Sequence, residues 1–363
     1  MSSLMGQEED QRGDSLANDV GTDATSPRER GQSGNGRLQQ GAAKYGTIGG
    51  LLVLIAIFSI LKPSTFLTGS NALTILDQAS LLGIVAGGLT VCLILNEFDL
   101  SIGYSVTLGG VVATEWLGTQ FNLVESILIA LGAGLVVGLV NGLIVGYGRI
   151  NAFIATLGTG AIIYGIVLSI TNGASTTVDN TSFIKIGQGK IVGVPVPVIL
   201  SAVVLVLLWV FLNRTEPGRR IDAVGGNPEA ARLSGIRVIR SRLTGFMISG
   251  VCAAGAGVIL AAELGAGYSD AGNSYLLQAF TACFLGAVTL REGEFHIVGT
   301  AIGVVIMGVA FNGLAQLGVP AYWQNIAQGA ILIGAVGIST LSGRIRFSRF
   351  RRGRGLLRRS AAK

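Results

Sequence analysis

The residues of this chain that could carry out chemistry are few and poorly placed for it. GQGK at 187–190 has the glycines and lysine of a phosphate-cradling loop, but lacks the full glycine spacing and the Ser or Thr that must follow the lysine. Gly255 and Gly257 form a lone G-x-G inside an apolar run with no strand before it, which suits close helix packing better than a dinucleotide. His296 is the one histidine, so a zinc site or a Ser-His dyad lacks its partners and a structural polar contact is the simpler role. Cys92, Cys252 and Cys283 lie far apart, each in an apolar run, and read as small core hydrophobes. No metal site is expected. The acids Asp77, Glu97, Asp99, Glu115, Glu125 and Glu263 all fall within a turn or two of the end of an apolar segment, and none is central. An ion-coupled carrier would need ionisable groups along its path, so this placement weakens that reading without removing it.

What remains is one polar stretch, 213–242, NRTEPGRRIDAVGGNPEAARLSGIRVIRSR, with seven arginines against Glu216, Asp222 and Glu229. Its centre spells a short helix. Asn227 is a good N-cap, Pro228 suits the first helical position, and Glu229 sits where the helix dipole favours an anion. Ala230, Ala231, Arg232 and Leu233 continue it through Ser234, and Gly235 can end it. A rod of roughly 10 Å is too short to stand alone in water. Its small face of Ala230 and Ala231, beside Arg232 and Leu233, suits being held by another surface; a plain surface helix in a long loop is the other reading.

The elements that position this helix follow from composition. Charged residues make up 13% of the chain, about half the share of a soluble domain, and mean hydropathy is +0.62. The 55 glycines show no Gly-x-y period and lie mostly in apolar runs, as in membrane helices whose backbones approach closely. The pattern predicts an all-α polytopic membrane protein of about ten spans, near 46–61, 72–95, 101–118, 122–147, 152–172, 194–213, 242–263, 275–290, 296–317 and 323–341. Several fall short of the ~20 residues a perpendicular span needs. Residues 1–44 are polar and too poor in apolar groups to fold, so they read as a disordered tail; no signal-peptide cleavage pattern follows the first apolar segment. The membrane-spanning body covers 45–342, and 343–363 form a basic tail.

Charge orients the spans. With both termini cytoplasmic, 23 of the 26 Lys and Arg fall inside, and Lys62, Lys185 and Lys190 outside, the expected positive-inside asymmetry. The arginine-rich tail, RIRFSRFRRGRGLLRR, then reads as a topology anchor contacting anionic lipid rather than as a nucleic-acid binder.

Three stretches carry a family resemblance: FDLSIG at 98–103, NGLIVGYGRINAFIATLGT at 141–159, and GRRIDAVGGNPEAARLSGI at 218–236. In order and spacing they are similar to permease subunits of ATP-binding cassette importers for monosaccharides, of the ribose and xylose type. The resemblance covers about 46–341 and implies several things. Residues 227–235 would couple to a separate ATP-binding subunit, which binds ATP and Mg; this chain binds no cofactor itself. A second permease copy, or a related permease, would complete the pathway, and an extracytoplasmic sugar-binding protein would dock outside. The site would be the bacterial cytoplasmic membrane. One departure from the family is LREGEFHIVG at 290–299, where Arg291, Glu292 and Glu294 could form a second cytoplasmic contact.

FDLSIG has its own physical reading. Asp99 or Ser101 can cap the third helix, and capping combined with packing is preferred here over a broken helix lining the pathway at membrane depth. A faint echo, VNGL at 140–143 and FNGL at 311–314, sits five spans apart as inverted repeats would place it, although coincidence would also produce it. Asn141 and Asn312 are then either pathway linings or interhelical hydrogen bonders.

Overall fold

A computed structural model describes residues 49–117, 119, 121–288 and 293–337. The expected tails at 1–44 and 343–363 lie outside them. The described chain is built from helices: α1 (Gly49–Leu61), α2 (Gly69–Ile94), α3 (Ile102–Trp116), α4 (Leu123–Gly146), α5 (Ala152–Thr171), α6 (Thr181–Gln188), α7 (Val196–Arg214), α8 (Glu216–Gly226), α9 (Pro228–Leu233), α10 (Val238–Leu264), α11 (Asn273–Val288), α12 (Ile297–Gln316) and α13 (321–337). Two short antiparallel pairs add the remaining order: β1 (Thr176–Thr177) with β4 (Ala266–Gly267), and β2 (Lys190–Ile191) with β3 (Val194–Pro195).

A helix lies on each of the ten predicted segments, but six (α2, α4, α5, α7, α10 and α12) are long and apolar enough to cross a membrane alone. α3 and α11, with 15 and 16 residues, fall short of a full crossing. For α3 the physical cause is visible: the chain between α2 and α3 leaves helical geometry at 95–101, with turns at 95–96 and 100–101.

Helix starts are written in short polar side chains. Asn122 forms a full capping box with Glu125, so one of the acids considered for an ion path is an N-terminal stabiliser instead. Asn151 caps α5 and Asn180 caps α6, each through one side-chain bond to a first-turn N–H. His296 caps α12, its Nδ1 accepting from the Gly299 N–H at 2.9 Å, which is the structural contact expected of it.

α10 is the axis of the packing, lying against α2, α3, α4 and α6. Where α4 meets it, Gly134, Gly138 and Gly142 recur every fourth residue, and the backbones close on one another. A Cβ at Gly138 would sit 2.2 Å from the Phe246 carbonyl, and one at Gly134 would sit 2.3 Å from the Gly250 carbonyl. This is the small-residue packing of helices that lack a hydrophobic drive to associate in lipid. α4, α5 and α7 turn apolar groups outward, among them Val136, Ile162, Val206 and Leu207, each more than half exposed. Helices apolar all round need a non-aqueous surrounding. The protein is an all-α, multi-pass membrane protein.

Candidate functional site

The stretch 213–242 folds as two helices rather than as a loop with one. Thr215 accepts from the Gly218 N–H and starts α8, with Pro217 inside its first turn. That helix was not anticipated, although the Thr-Glu-Pro order is a start signal. Asn227 then caps α9, its Oδ1 accepting from the Glu229 and Ala230 N–H groups at 3.1 and 3.0 Å. Gly235 takes a left-handed φ of +83°, and the Gly235 and Ile236 N–H groups return to the Arg232 and Ala231 carbonyls, closing the helix as its sequence predicts. The next helix begins at Val238, a turn earlier than expected.

α9 is held by its inner side. Ala231 is buried in a cluster with Val91, Leu95, Leu208, Leu212, Ile221 and Val224, so of the proposed coupling residues it faces the protein's own core. Pro228, Glu229, Ala230, Arg232, Leu233, Ser234 and Gly235 are exposed. Leu233 is 79% exposed, an apolar knob at the end of a polar helix. Glu229 and Arg232 pair with each other at 2.7 Å, with both side chains more than half exposed. Such a pair adds little stability, so the fold leaves both charges available to another surface.

The second half of the site is the break at 95–101. Asn96 turns the chain with φ +59°, and its Nδ2 donates to the Gly225 carbonyl of α8 at 2.6 Å. α8 and α2 touch through backbone here, since a Cβ at Gly225 would lie 1.9 Å from the Ile94 oxygen. Glu97, with a side chain only 10% exposed, pairs with Arg242 of α10 at 2.7 Å. Burial raises the Glu97 carboxyl above its ordinary value, and the guanidinium opposes that rise.

Beyond Glu97 the chain enters the protein. Asp99 is buried and accepts three hydrogen bonds: from the Ser101 N–H at 3.1 Å, the Ser101 hydroxyl at 2.6 Å and the Ser249 hydroxyl at 2.7 Å. Ser101 in turn accepts from Asn141 Nδ2 at 2.8 Å, and Thr159 donates to Asn141 Oδ1 at 2.6 Å. Thr156 accepts from the Leu100 N–H at 2.9 Å. Four helices, α3, α4, α5 and α10, therefore meet on one polar cluster.

This arrangement decides between the two capping candidates. Ser101 makes no side-chain cap; the Asp99 carboxylate supplies the N-terminal acceptor of α3 from two residues upstream. Asp99 also reaches beyond the end of α3, because Ser249 stands near the middle of the 27-residue α10. Capping combined with packing is what these contacts form: Asp99 caps α3, and Ser101, Asn141 and Ser249 are buried around it. Asn312 is not part of the cluster. It accepts from Gln316, which also donates to Asn71 in the first turn of α2 at 2.7 Å. The two Asn-Gly-Leu echoes thus hold different junctions. Glu294 is exposed just before α12, while Arg291 and Glu292 lie outside the described residues.

Sequence reasoning did not find the Glu97–Arg242 pair, nor Asn96, Ser249, Thr156 and Thr159. Their partners lie on other elements, from 18 to 150 residues away, so no local spacing announces them.

The family model for the branched-chain amino acid transport system / permease component matches residues 71–336. The ribose import permease protein RbsC of Escherichia coli K12 is 39% identical over 79% of this chain and 90% of that protein. RbsC of Bacillus subtilis is 38% identical over 81% and 91%, respectively. The D-allose transport system permease protein AlsC of Escherichia coli K12 is 36% identical over 82% and 92%. No solved structure matches the chain.

Proposed function

The chain belongs to the permease-component family of the branched-chain amino acid transport systems, and from that premise we propose that it is the membrane-spanning subunit of an ATP-driven importer for a monosaccharide. The observation that carries this is the 39% identity to a ribose permease along nine tenths of that protein's length. The similar D-allose permease keeps the substrate class to small sugars without choosing one. An ion-coupled carrier working alone gains no support, since its rivals in sequence are permease components of larger systems.

Placed in the bacterial cytoplasmic membrane with its basic segments inside, the chain would cross about ten times. α1, α3, α11 and α13 would complete crossings that their helices alone do not span. The α8–α9 segment then faces the cytosol. In the proposed mechanism, α9 sits in a cleft of a separate ATPase, with Leu233 as the apolar contact and Glu229 and Arg232 as polar ones. Glu294, with Arg291 and Glu292, would be a second contact on the same side. ATP and Mg belong to that subunit. Closure of the ATPase pair would move α9 as a rigid body and switch the pathway between outward and inward access. A second permease copy or a related one completes the pathway, a sugar-binding protein docks on the outer face, and the arginine-rich tail rests on anionic lipid.

Uptake by the reconstituted complex in liposomes tests this. Sugar accumulation that needs ATP and the binding protein, and that ignores a protonophore, is the expected result. Transport by this chain alone, driven by a proton gradient, would overturn it.

A further inference from the structure

We propose that Asn96, Glu97 and Arg242 are positioning residues that transmit movement of α8 and α9 to the buried Asp99 cluster, with 95–101 as the lever between them. The inference rests on the importer reading and adds to it a specific internal path.

Each link of that path is a direct contact. α8 holds the near end of the lever through Asn96 Nδ2 on the Gly225 carbonyl, and through the backbone closeness of Gly225 and Ile94. α10 holds the next residue through the 2.7 Å Glu97–Arg242 pair. Between the two, Leu95 fills the space opposite Gly245, where a Cβ would lie 2.5 Å from its side chain. The far end is Asp99, whose carboxylate ties α10 to α3 through Ser249 and Ser101, and through Ser101 reaches Asn141 of α4. Seven residues of non-helical chain thus connect the exposed segment to the point where four helices meet.

The ion pair is the unusual link. Arg220–Glu216 and Arg232–Glu229 each lie within one helix turn and are more than half exposed, as solvated surface pairs are. Glu97 and Arg242 join elements far apart in sequence, with side chains 10% and 28% exposed. A partly buried pair of this kind is poor at adding stability relative to an apolar pair, and is better suited to fixing one register. Arg242 as a bare topology anchor would need no carboxylate partner. With one, any displacement of α8 that drags Asn96 must either carry the base of α10 along or break the pair.

The test uses the whole importer in liposomes, measuring sugar taken up per ATP hydrolysed. Glu97→Arg and Arg242→Glu are each expected to lower that ratio by about tenfold, in the range of ordinary coupling energies, while binding-protein-stimulated hydrolysis continues. The double swap, E97R with R242E, should recover most of the ratio. A purely structural role would lower the yield of complex without changing the ratio. Because single charge reversals could prevent assembly, Asn96→Gly is the second variant; it keeps the ion pair, suits the left-handed φ of this position and removes the side-chain link to Gly225. It should assemble normally and still show a fall of several-fold. Wild-type ratios in Asn96→Gly and in whichever swap variants assemble would overturn the lever. Failure of the wild-type complex to import sugar with ATP would instead sink the importer reading itself.

Discussion

Asp99 and Ser249 are 150 residues apart and joined by a 2.7 Å hydrogen bond in the interior of the helix bundle. The bond fixes a non-helical segment against the middle of α10, where backbone groups outside a helix need side chains to satisfy them. Asp99 meets that need by taking the Ser101 N–H, and Thr156 by taking the Leu100 N–H.

Removing the carboxylate should therefore cost more than removing one of its donors. Asp99→Ala leaves the Ser101 N–H, the Ser101 hydroxyl and the Ser249 hydroxyl without their acceptor, for an expected loss of about 3 kcal/mol or more. Ser249→Ala should cost about 1 kcal/mol. The double variant should be no worse than Asp99→Ala, since the two share one bond. Thermal unfolding of the detergent-purified protein reads all three, and simple additivity would show that the cluster does not act as a unit.

Glycines on one helix should differ sharply in what they tolerate. Gly138 faces the Phe246 carbonyl at 2.2 Å from a hypothetical Cβ, whereas nothing lies within 4 Å at Gly132 on the same helix. Gly138→Ala is expected to force α4 from α10 at a cost of about 1–3 kcal/mol, and Gly132→Ala to be neutral or slightly stabilising. Equal thermal stability of the two variants would contradict the close α4–α10 approach.

The local features of this chain were legible in its sequence, and the long-range ones were not. Asn227, Pro228, Glu229 and Gly235 specify start, first turn and stop of α9, because caps act within a few residues of where they are written. The ten helical segments were equally readable from their apolar runs. FDLSIG reads as a helix start because it contains capping residues, and Asp99 does supply that cap. Only the position of Ser249 reveals that this start lies deep in the bundle. Arg242 was read as one of seven basic residues on a polar stretch, and its carboxylate partner belongs to a different helix junction altogether.

α9 allows fold and coupling to be separated. Glu229→Arg removes an exposed pair of small energetic value and sets two like charges three residues apart, a cost of at most about 0.5 kcal/mol. Membrane insertion and thermal stability should stay close to wild type, while uptake in the reconstituted complex falls. Replacing 228–234 with a glycine-rich segment should abolish uptake with insertion intact. Unchanged uptake in both would remove the coupling role from this helix.

Sidedness offers the last test, and α7 makes it decisive. Val192, 98% exposed at the turn between β2 and β3, and Leu233, 79% exposed on α9, are separated by one long apolar helix. With the positive-inside orientation, Val192 is extracytoplasmic and Leu233 cytoplasmic. Cys92 and Cys283 are buried and Cys252 is partly buried, so background reaction with a membrane-impermeant maleimide should be low. In cells whose outer barrier admits the reagent, Val192→Cys is expected to label at once, and Leu233→Cys only after the cytoplasmic membrane is opened. Labelling of both from the same side would mean that α7 does not cross, and α9 could then meet no cytosolic ATPase while Val192 faced outward.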